Sequence, residues 1–547
     1  MRQQRTNICI IGTGAAGGIL AYRLASAGRE VLSLEQGAAI ADDYFTNGQR
    51  PSQDEYFGIA PERSWSAPPT DLYFESNAQA RRLYASADFT STSPEAAAVF
   101  RNRQIFRLNG RQNLWAGVSL RMAPRDFRAR DCGDGELNWP IDYEDLAPHY
   151  DAVERLIGVC GTREGLSELP DGEFLPPLPL RSVDLALRSA VQGMRKIPIK
   201  AIPTRKAIET RADEANACVQ CGHCVHGCRY GSIYKFSSRL LPRIVERPNY
   251  RIIYEAKVIR LRRATNSPRI EAAECLNTST REQFEVLADN FVVSAGSLET
   301  ARLLLNSHDD VWPAGLANSS GLVGCCLQDH VRAAVSGSLW RLGGSKAEDP
   351  PGVGDHLLIP RFIFGVGEFR GGFQIQCGHT PPWLPFYLDG MQGLPARVKD
   401  VVARWLFSTY VGLFFMGRPT ISFNNRLRRS DRRDVHGVPQ LDVDYRWSEE
   451  DLQMQQAMQL WGRRILRAAS AIGVTSSPDS LPGNAIHYAG TCRMAASAHD
   501  GVVDGGCRTF DHPNLYLCDG GVMPDLSEKN PTLTIMALAD RLAARLA

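Results

Sequence analysis

Along the first 35 residues the apolar positions change period twice. Ile8 to Ile11 is an unbroken apolar run that predicts a buried strand, and beyond it Ala16, Ile19, Leu20 and Leu24 recur at the spacing of one helix face. Gly28 closes that helix as a C′ glycine, and Glu30 to Leu34 predicts a second strand running into Glu35. Leu357 to Gln376 and Ile421 to Val443 read as strands of a central sheet. The capping box Ser448-x-x-Asp451 opens a long amphipathic helix expected to bury Leu452, Met454, Met458, Trp461 and Ile465. Near the end, Leu515 to Cys518 predicts a strand, followed by a Gly-rich turn and a last helix with Pro531 at its first position.

Composition sets the class. The chain has 547 residues, 44% hydrophobic and 22% charged, which predicts ordered globular domains. A formal charge of +2 lacks the basic excess of a nucleic-acid binder. No run of about 18 apolar residues predicts a membrane span. Val401 to Met416 comes nearest, is broken by Arg404, Ser408 and Thr409, and reads as core strand and helix. The polar start Met1 to Thr6 is no secretory leader, so a cytoplasmic protein is expected. Arg426 to Arg433 reads as a solvated loop, with docking of an acidic partner as the alternative.

The glycines between the first strand and helix supply candidate chemistry. In Gly12-x-Gly14-x-x-Gly17, Gly12 permits a tight turn, Gly14 admits a pyrophosphate to the backbone, and Gly17 lets the helix lie close on the sheet. Ala15 and Ala16 then start a helix whose free N–H groups suit phosphate, and Glu35 accepts from ribose hydroxyls. The motif predicts a dinucleotide site, with FAD favoured over NAD by the length of the chain.

Four of the fourteen cysteines fall in Cys218-x-x-Cys221-x-x-Cys224-x-x-x-Cys228. The other ten read as scattered buried thiols. The run matches a ferredoxin-type spacing without the following Pro. Three readings stay open: an iron–sulfur cluster first, a disulfide or free-thiol structure second, and zinc third. His223 and His226 read as surface residues.

The C-terminal order is His487-Tyr-Ala-Gly-Thr-Cys-Arg-Met494, then Asp519-Gly520, then Asn530-Pro531-Thr532. Taken singly, His487 is an ordinary structural histidine and Asn530 an ordinary N-cap. Together with Gly324-Cys-Cys-Leu-Gln-Asp-His330 and Val292-Val-Ser-Ala295-Gly296, the order resembles the glucose–methanol–choline (GMC) oxidoreductases from residue 7 to 546.

The resemblance implies an α/β chain, a Rossmann-like FAD domain (1–40, 215–330 and 490–547) intertwined with an α+β substrate domain on an antiparallel sheet (41–214 and 331–489). It implies FAD held by Gly12, Gly14, Gly17, Glu35, Val258, Ala295, Gly296, Asp519, Gly520, Pro531 and Thr532. The segment Asn109 to Arg121, with Asn113, Trp115 and Ala116, resembles the family's flavin-proximal loop. Leu114 stands where some relatives carry a flavin-linking His, so non-covalent FAD is expected. His487 would take the hydroxyl proton while hydride passes to flavin N5, with Asn530 orienting the alcohol oxygen. An imidazole titrating near neutrality suits the task.

The implied activity is oxidation of a CH–OH group of a sugar, glycoside or polyol by a dehydrogenase with an external acceptor. Electrons would pass through an iron–sulfur cluster to a cytochrome; an oxidase releasing H2O2 is the alternative. A small partner subunit able to carry the enzyme to the periplasm is the family's further implication.

Overall fold

In the computed structural model, residues 2–40, 104–222, 224–342, 353–363, 369–378, 409–477 and 481–547 are described, with isolated positions between them. Of the aromatic runs Pro381 to Leu388 and Trp405 to Phe415, read from sequence as a site entrance or core, the first and Trp405 to Ser408 of the second lie outside the described residues, as does His223; Tyr410 and Phe415 of the second are buried.

The first sheet has seven strands. Tyr250–Ile253, Val31–Leu34, Arg2–Ile11 and Gln283–Val293 lie side by side in parallel. The long Gln283–Val293 strand serves two partners on its other edge. Its first half pairs antiparallel with Ile270–Asn277, and its last residues pair parallel with Leu515–Leu517. The first strand starts at Arg2 rather than Ile8, because Arg2 to Arg5 lie in register with Phe284 to Leu287. A partner strand that continues carries polar residues into the sheet. The Ala15–Ser26 helix follows the glycine turn, and Gly28 ends it at φ +83° in the left-handed region. It packs against the final helix, Thr532–Leu546, which is buried through Leu533, Met536, Ala537 and Leu538.

The second sheet has six strands, all antiparallel, in the order Ile472–Ser477, Val331–Ser338, Tyr410–Gly417, Phe373–Gly378, Leu357–Ile359 and Ile202–Pro203. The Glu449–Ala468 helix covers one face through Met454, Met458 and Ile465, and its capping box is present, Asp451 N donating to Ser448 Oγ at 3.1 Å. Leu452, expected in that core, is 39% exposed. It follows the cap by a single turn and falls on the outer face of the helix.

Two expectations about the 420s are corrected. Ile421 to Val443 does not extend the central sheet: Pro439–Asp444 pairs antiparallel with Arg426–Arg433 on one edge and parallel with Phe89–Ser91 on the other, in a separate three-stranded sheet. Arg426–Arg433 is thus a strand and not a loop. Its charge conceals a two-faced pattern in which Leu427 and Ser430 point inward while Arg428 pairs across the ladder with Asp444.

Candidate functional site

A cavity of about 740 Å³ runs from the glycine turn to the start of the last helix, between the parallel sheet and one face of the antiparallel sheet. Gly12, Gly14, Ala15, Ala16 and Glu35 line it, together with Val258, Ala295 and Gly296. Leu114, Trp115, Ala116, Asp519 and Gly520 line the same cavity, as do His487, Asn530, Pro531 and Thr532.

The turn is built for a ligand's backbone approach. A Cβ on Gly17 would stand 1.9 Å from Gly12 O, so that glycine serves helix–turn packing and does not border the cavity. A Cβ on Gly14 would meet nothing within 4 Å, which leaves an open cradle at the helix N-terminus. Among the described residues no side chain caps that helix, whose first residues, Ala15 and Ala16, line the cavity with their N–H groups free of a capping side chain. Glu35 is buried, and burial raises its carboxyl above the usual range even though Thr13 and Gly37 N–H donate to it. Asp519 fastens two elements: Oδ2 accepts from Gly296 N at 3.0 Å and Thr300 Oγ1 at 2.5 Å, while Oδ1 accepts from Gly521 N at 2.7 Å. A cavity lined by an uncapped helix N-terminus and a buried acid fits a dinucleotide such as FAD.

Asn113 departs from expectation. Its amide donates to Leu108 O and Gly110 O at 2.8 Å each, and the residue holds the loop from within rather than bordering the cavity. Trp115 donates from Nε1 to Tyr234 O at 2.9 Å. Pro531 is the cap of the last helix, which begins at Thr532, one residue later than expected.

The heptapeptide Gly324 to His330 supplies what the sequence reading left without a role. Asp329 is buried, and its carboxylate accepts three successive backbone N–H groups, from Ala485 at 2.9 Å, Ile486 at 3.3 Å and His487 at 2.7 Å. Burial lifts its carboxyl to about 6. This clamp holds Ile486, a β-branched residue, at φ +62°, a costly conformation that turns His487 toward the cavity. Gln328 ties the same segment to the chain ahead of Asn530, donating to Pro524 O at 3.0 Å and accepting from Leu526 N at 3.0 Å.

His330 stands directly behind His487, with the two Nδ1 atoms 2.9 Å apart and the rings near perpendicular at 81°. His330 Nε2 lies 3.0 Å from Ser527 O, and a carbonyl only accepts, so Nε2 carries the proton. Burial pulls the His330 pKa down to about 3, which leaves Nδ1 bare. His487 must therefore donate from its own Nδ1. Burial first, then His330, Arg332 and Arg111, hold His487 well below the usual histidine range. Its Nε2 is the unprotonated atom, ready to take a proton. The value near neutrality expected for this residue is thus corrected downward.

Among the described residues the cysteine run borders the cavity only through Val225. Among the described residues no three Cys, His, Asp or Glu side chains form a metal-binding group, and no disulfide joins any cysteine pair. The iron–sulfur expectation at Cys218, Cys221, Cys224 and Cys228 therefore lacks a ligand set here, and so does the zinc alternative; of the disulfide or free-thiol reading, all four cysteines take the thiol form. Cys224 and Cys228 turn instead into an apolar cluster with Cys160, Ile208, Ile233 and Val353. Burial pushes the Cys218 thiol up to about 12 and Cys224 up to about 11. Among the described residues no helix is long and apolar enough to cross a membrane.

Known proteins resemble this chain over its whole length. Two family models, both described as GMC oxidoreductase, match residues 203–332 and 423–539. Paromamine 6'-oxidase of Streptomyces fradiae is 28% identical, over 99% of this chain and 91% of that protein. Fructose dehydrogenase large subunit of Gluconobacter japonicus is 27% identical, over 98% of this chain and 97% of its own. The solved structure of pyridoxine 4-oxidase from Mesorbium loti shares the fold, with a TM-score of 0.60 at 19% identity and 99% coverage of both chains.

Proposed function

As the chain belongs to the GMC oxidoreductase family, we propose that it oxidises a CH–OH group of a sugar, glycoside or polyol with non-covalently bound FAD. FAD, when bound, supplies the hydride acceptor. The pyrophosphate is assigned to Gly14, Ala15 and Ala16, a ribose to Glu35, the adenine to the wall at Val258, and the flavin to the N-terminus of the Thr532–Leu546 helix. Leu114 has no atom able to link covalently to the cofactor.

The observation that carries the reading is the bare Nε2 of His487, enforced by His330 and Ser527. His487 takes the hydroxyl proton at Nε2 and Asn530 holds the alcohol oxygen, which turns the carbon-bound hydrogen into a better hydride. The wall beyond them suits a polyhydroxylated molecule. Arg332, Ser336, Asp355, Gln376, Tyr410 and Thr475 border the same cavity from the antiparallel sheet and its connections.

For the second half of the cycle we assign an external acceptor, a reading supported by fructose dehydrogenase large subunit, which aligns with nearly the whole chain. A cytochrome and a small partner subunit belong to that reading. Oxygen as acceptor is the second reading, supported by the likeness to paromamine 6'-oxidase.

The test is anaerobic mixing of the purified flavoprotein with a panel of sugars, glycosides and polyols. Bleaching of the flavin bands by one of them, and its loss in His487→Ala with FAD still bound, is the expected result. Rapid bleaching of that variant refutes the assignment of His487. Peroxide formation in air against reduction of an artificial acceptor decides between the two acceptors.

A further inference from the structure

We propose that Gln374 and Gln376 are positioning residues that set Asn530 as a hydrogen-bond donor toward the substrate oxygen, an inference that rests on the assignment of Asn530 above. Both glutamines sit on the Phe373–Gly378 strand, inside the six-stranded sheet, and both are buried at 2% exposure. Two residues apart on a strand, they share one face. That face carries their Nε2 atoms to the same acceptor: Gln374 donates to Asn530 Oδ1 at 3.0 Å and Gln376 at 2.5 Å.

An amide oxygen has two lone pairs, and here both are taken. The Asn530 amide group that remains, Nδ2, makes no hydrogen bond to any described residue and belongs to a residue bordering the cavity. The orientation is the one the chemistry requires. The substrate hydroxyl has a single proton, and His487 Nε2 is the atom prepared to take it. Turning all three amides over would put Asn530 Oδ1 in competition for that proton. With Nδ2 facing the cavity, Asn530 donates to the same oxygen as negative charge develops there, a preorganised contact that gains strength toward the transition state.

Glutamate in place of glutamine reverses the logic with no change of shape. In Gln376→Glu the ionised carboxylate cannot donate to Oδ1 and draws Nδ2 toward itself, while the protonated acid donates again. The experiment is single-turnover flavin reduction of the full-length FAD-loaded chain, by whichever panel compound reduces it fastest, between pH 5 and 9. Rates are taken relative to wild type at the same pH, for Gln376→Glu, Gln376→Leu and Asn530→Ala.

Asn530→Ala and Gln376→Leu are expected to slow reduction at every pH. Gln376→Glu is expected to slow it by about 10²-fold at pH 8, comparable to losing one oxyanion donor, and to recover on acidification. Should Gln376→Glu fail to hold FAD, Gln374→Glu carries the same test. A Gln376→Glu protein as fast as wild type at pH 8, or slow with no recovery in acid, overturns the positioning role. If Asn530→Ala is itself as fast as wild type, the assignment of Asn530 fails instead.

Discussion

His330 and His487 share a hydrogen bond, Nδ1 to Nδ1 at 2.9 Å, in which only His487 can be the donor. The direction is set one residue further back, where Ser527 O obliges His330 to keep its proton on Nε2. A buried chain of three groups thereby selects the tautomer of the proposed base.

Replacing either ring should separate orientation from proton transfer. His487→Ala is expected to lower the flavin-reduction rate by about 10²–10⁴-fold, the range for a lost general base. His330→Phe keeps the base and frees its tautomer, so a smaller loss is expected. Stopped-flow reduction, with the flavin absorbance ratio as a check on FAD content, measures both. A His330→Phe enzyme as fast as wild type would show that the tautomer needs no partner.

The depressed His487 value gives a pH profile with a definite sign. The base must be neutral, and its protonated form is disfavoured by burial and by His330, Arg332 and Arg111. The reduction rate should therefore hold steady as pH falls from 8 to 6.5 and decline only in more acid solution. Removing one of those cations, in Arg332→Met, should move the acid limb to higher pH.

Stability should also fall in acid, partly through His356. This ring is buried, and burial lowers its pKa to about 4, outweighing Asp184, whose Oδ2 lies 3.3 Å away but already accepts from Arg181. An unfolded histidine titrates near 6.5. Between about 6.5 and 4 the unfolded chain binds a proton that the folded chain refuses, so stability drops as pH falls through that window. Asp329, raised to about 6, acts in the opposite direction over much of the same range. The His356→Leu difference isolates the histidine: its urea midpoint should change less than that of wild type between pH 7 and 4.5.

Next to Asn530, Lys529 is buried among Asp126, at 2.8 Å, and Glu528, at 2.6 Å. Lys529→Met leaves two buried carboxylates without that cation. A loss of about 3–5 kcal/mol is expected, the usual cost of breaking a buried pair from one side, read from chemical denaturation. Asp126→Asn in the same background should restore part of it.

At the dinucleotide turn, Gly17→Ala places a methyl group 1.9 Å from the backbone carbonyl oxygen of Gly12, so helix or turn must shift. Separation of helix and turn should cost about 1–3 kcal/mol or more and expel FAD, seen as a colourless purified protein. A yellow Gly17→Ala protein of normal melting temperature would refute the packing argument.

Much of the site was legible because it is local. The strand, glycine turn and helix from Ile8 to Ser26 obey rules that act within a few residues, and Gly28, Ser448 and Asp451 occupy their expected capping positions. Arg426–Arg433 reads as a loop because its five arginines outweigh the two buried positions, Leu427 and Ser430, and only pairing with Pro439–Asp444 makes it a strand. The spacing of Cys218 to Cys228 was legible as a pattern but not as a direction, and two of its thiols turn into an apolar cluster.

The sequence by itself determined that a dinucleotide turn opens this chain and that His487 and Asn530 come in a recognisable order before its end. Only the tertiary structure decided what those two residues can do. The tautomer of His487 depends on a ring 157 positions away, and the facing of Asn530 depends on amides 156 and 154 positions away. No local rule links such residues. Their hydrogen bonds exist because two sheets and the final helix bury them against one cavity, where each polar atom must find a partner or face the ligand.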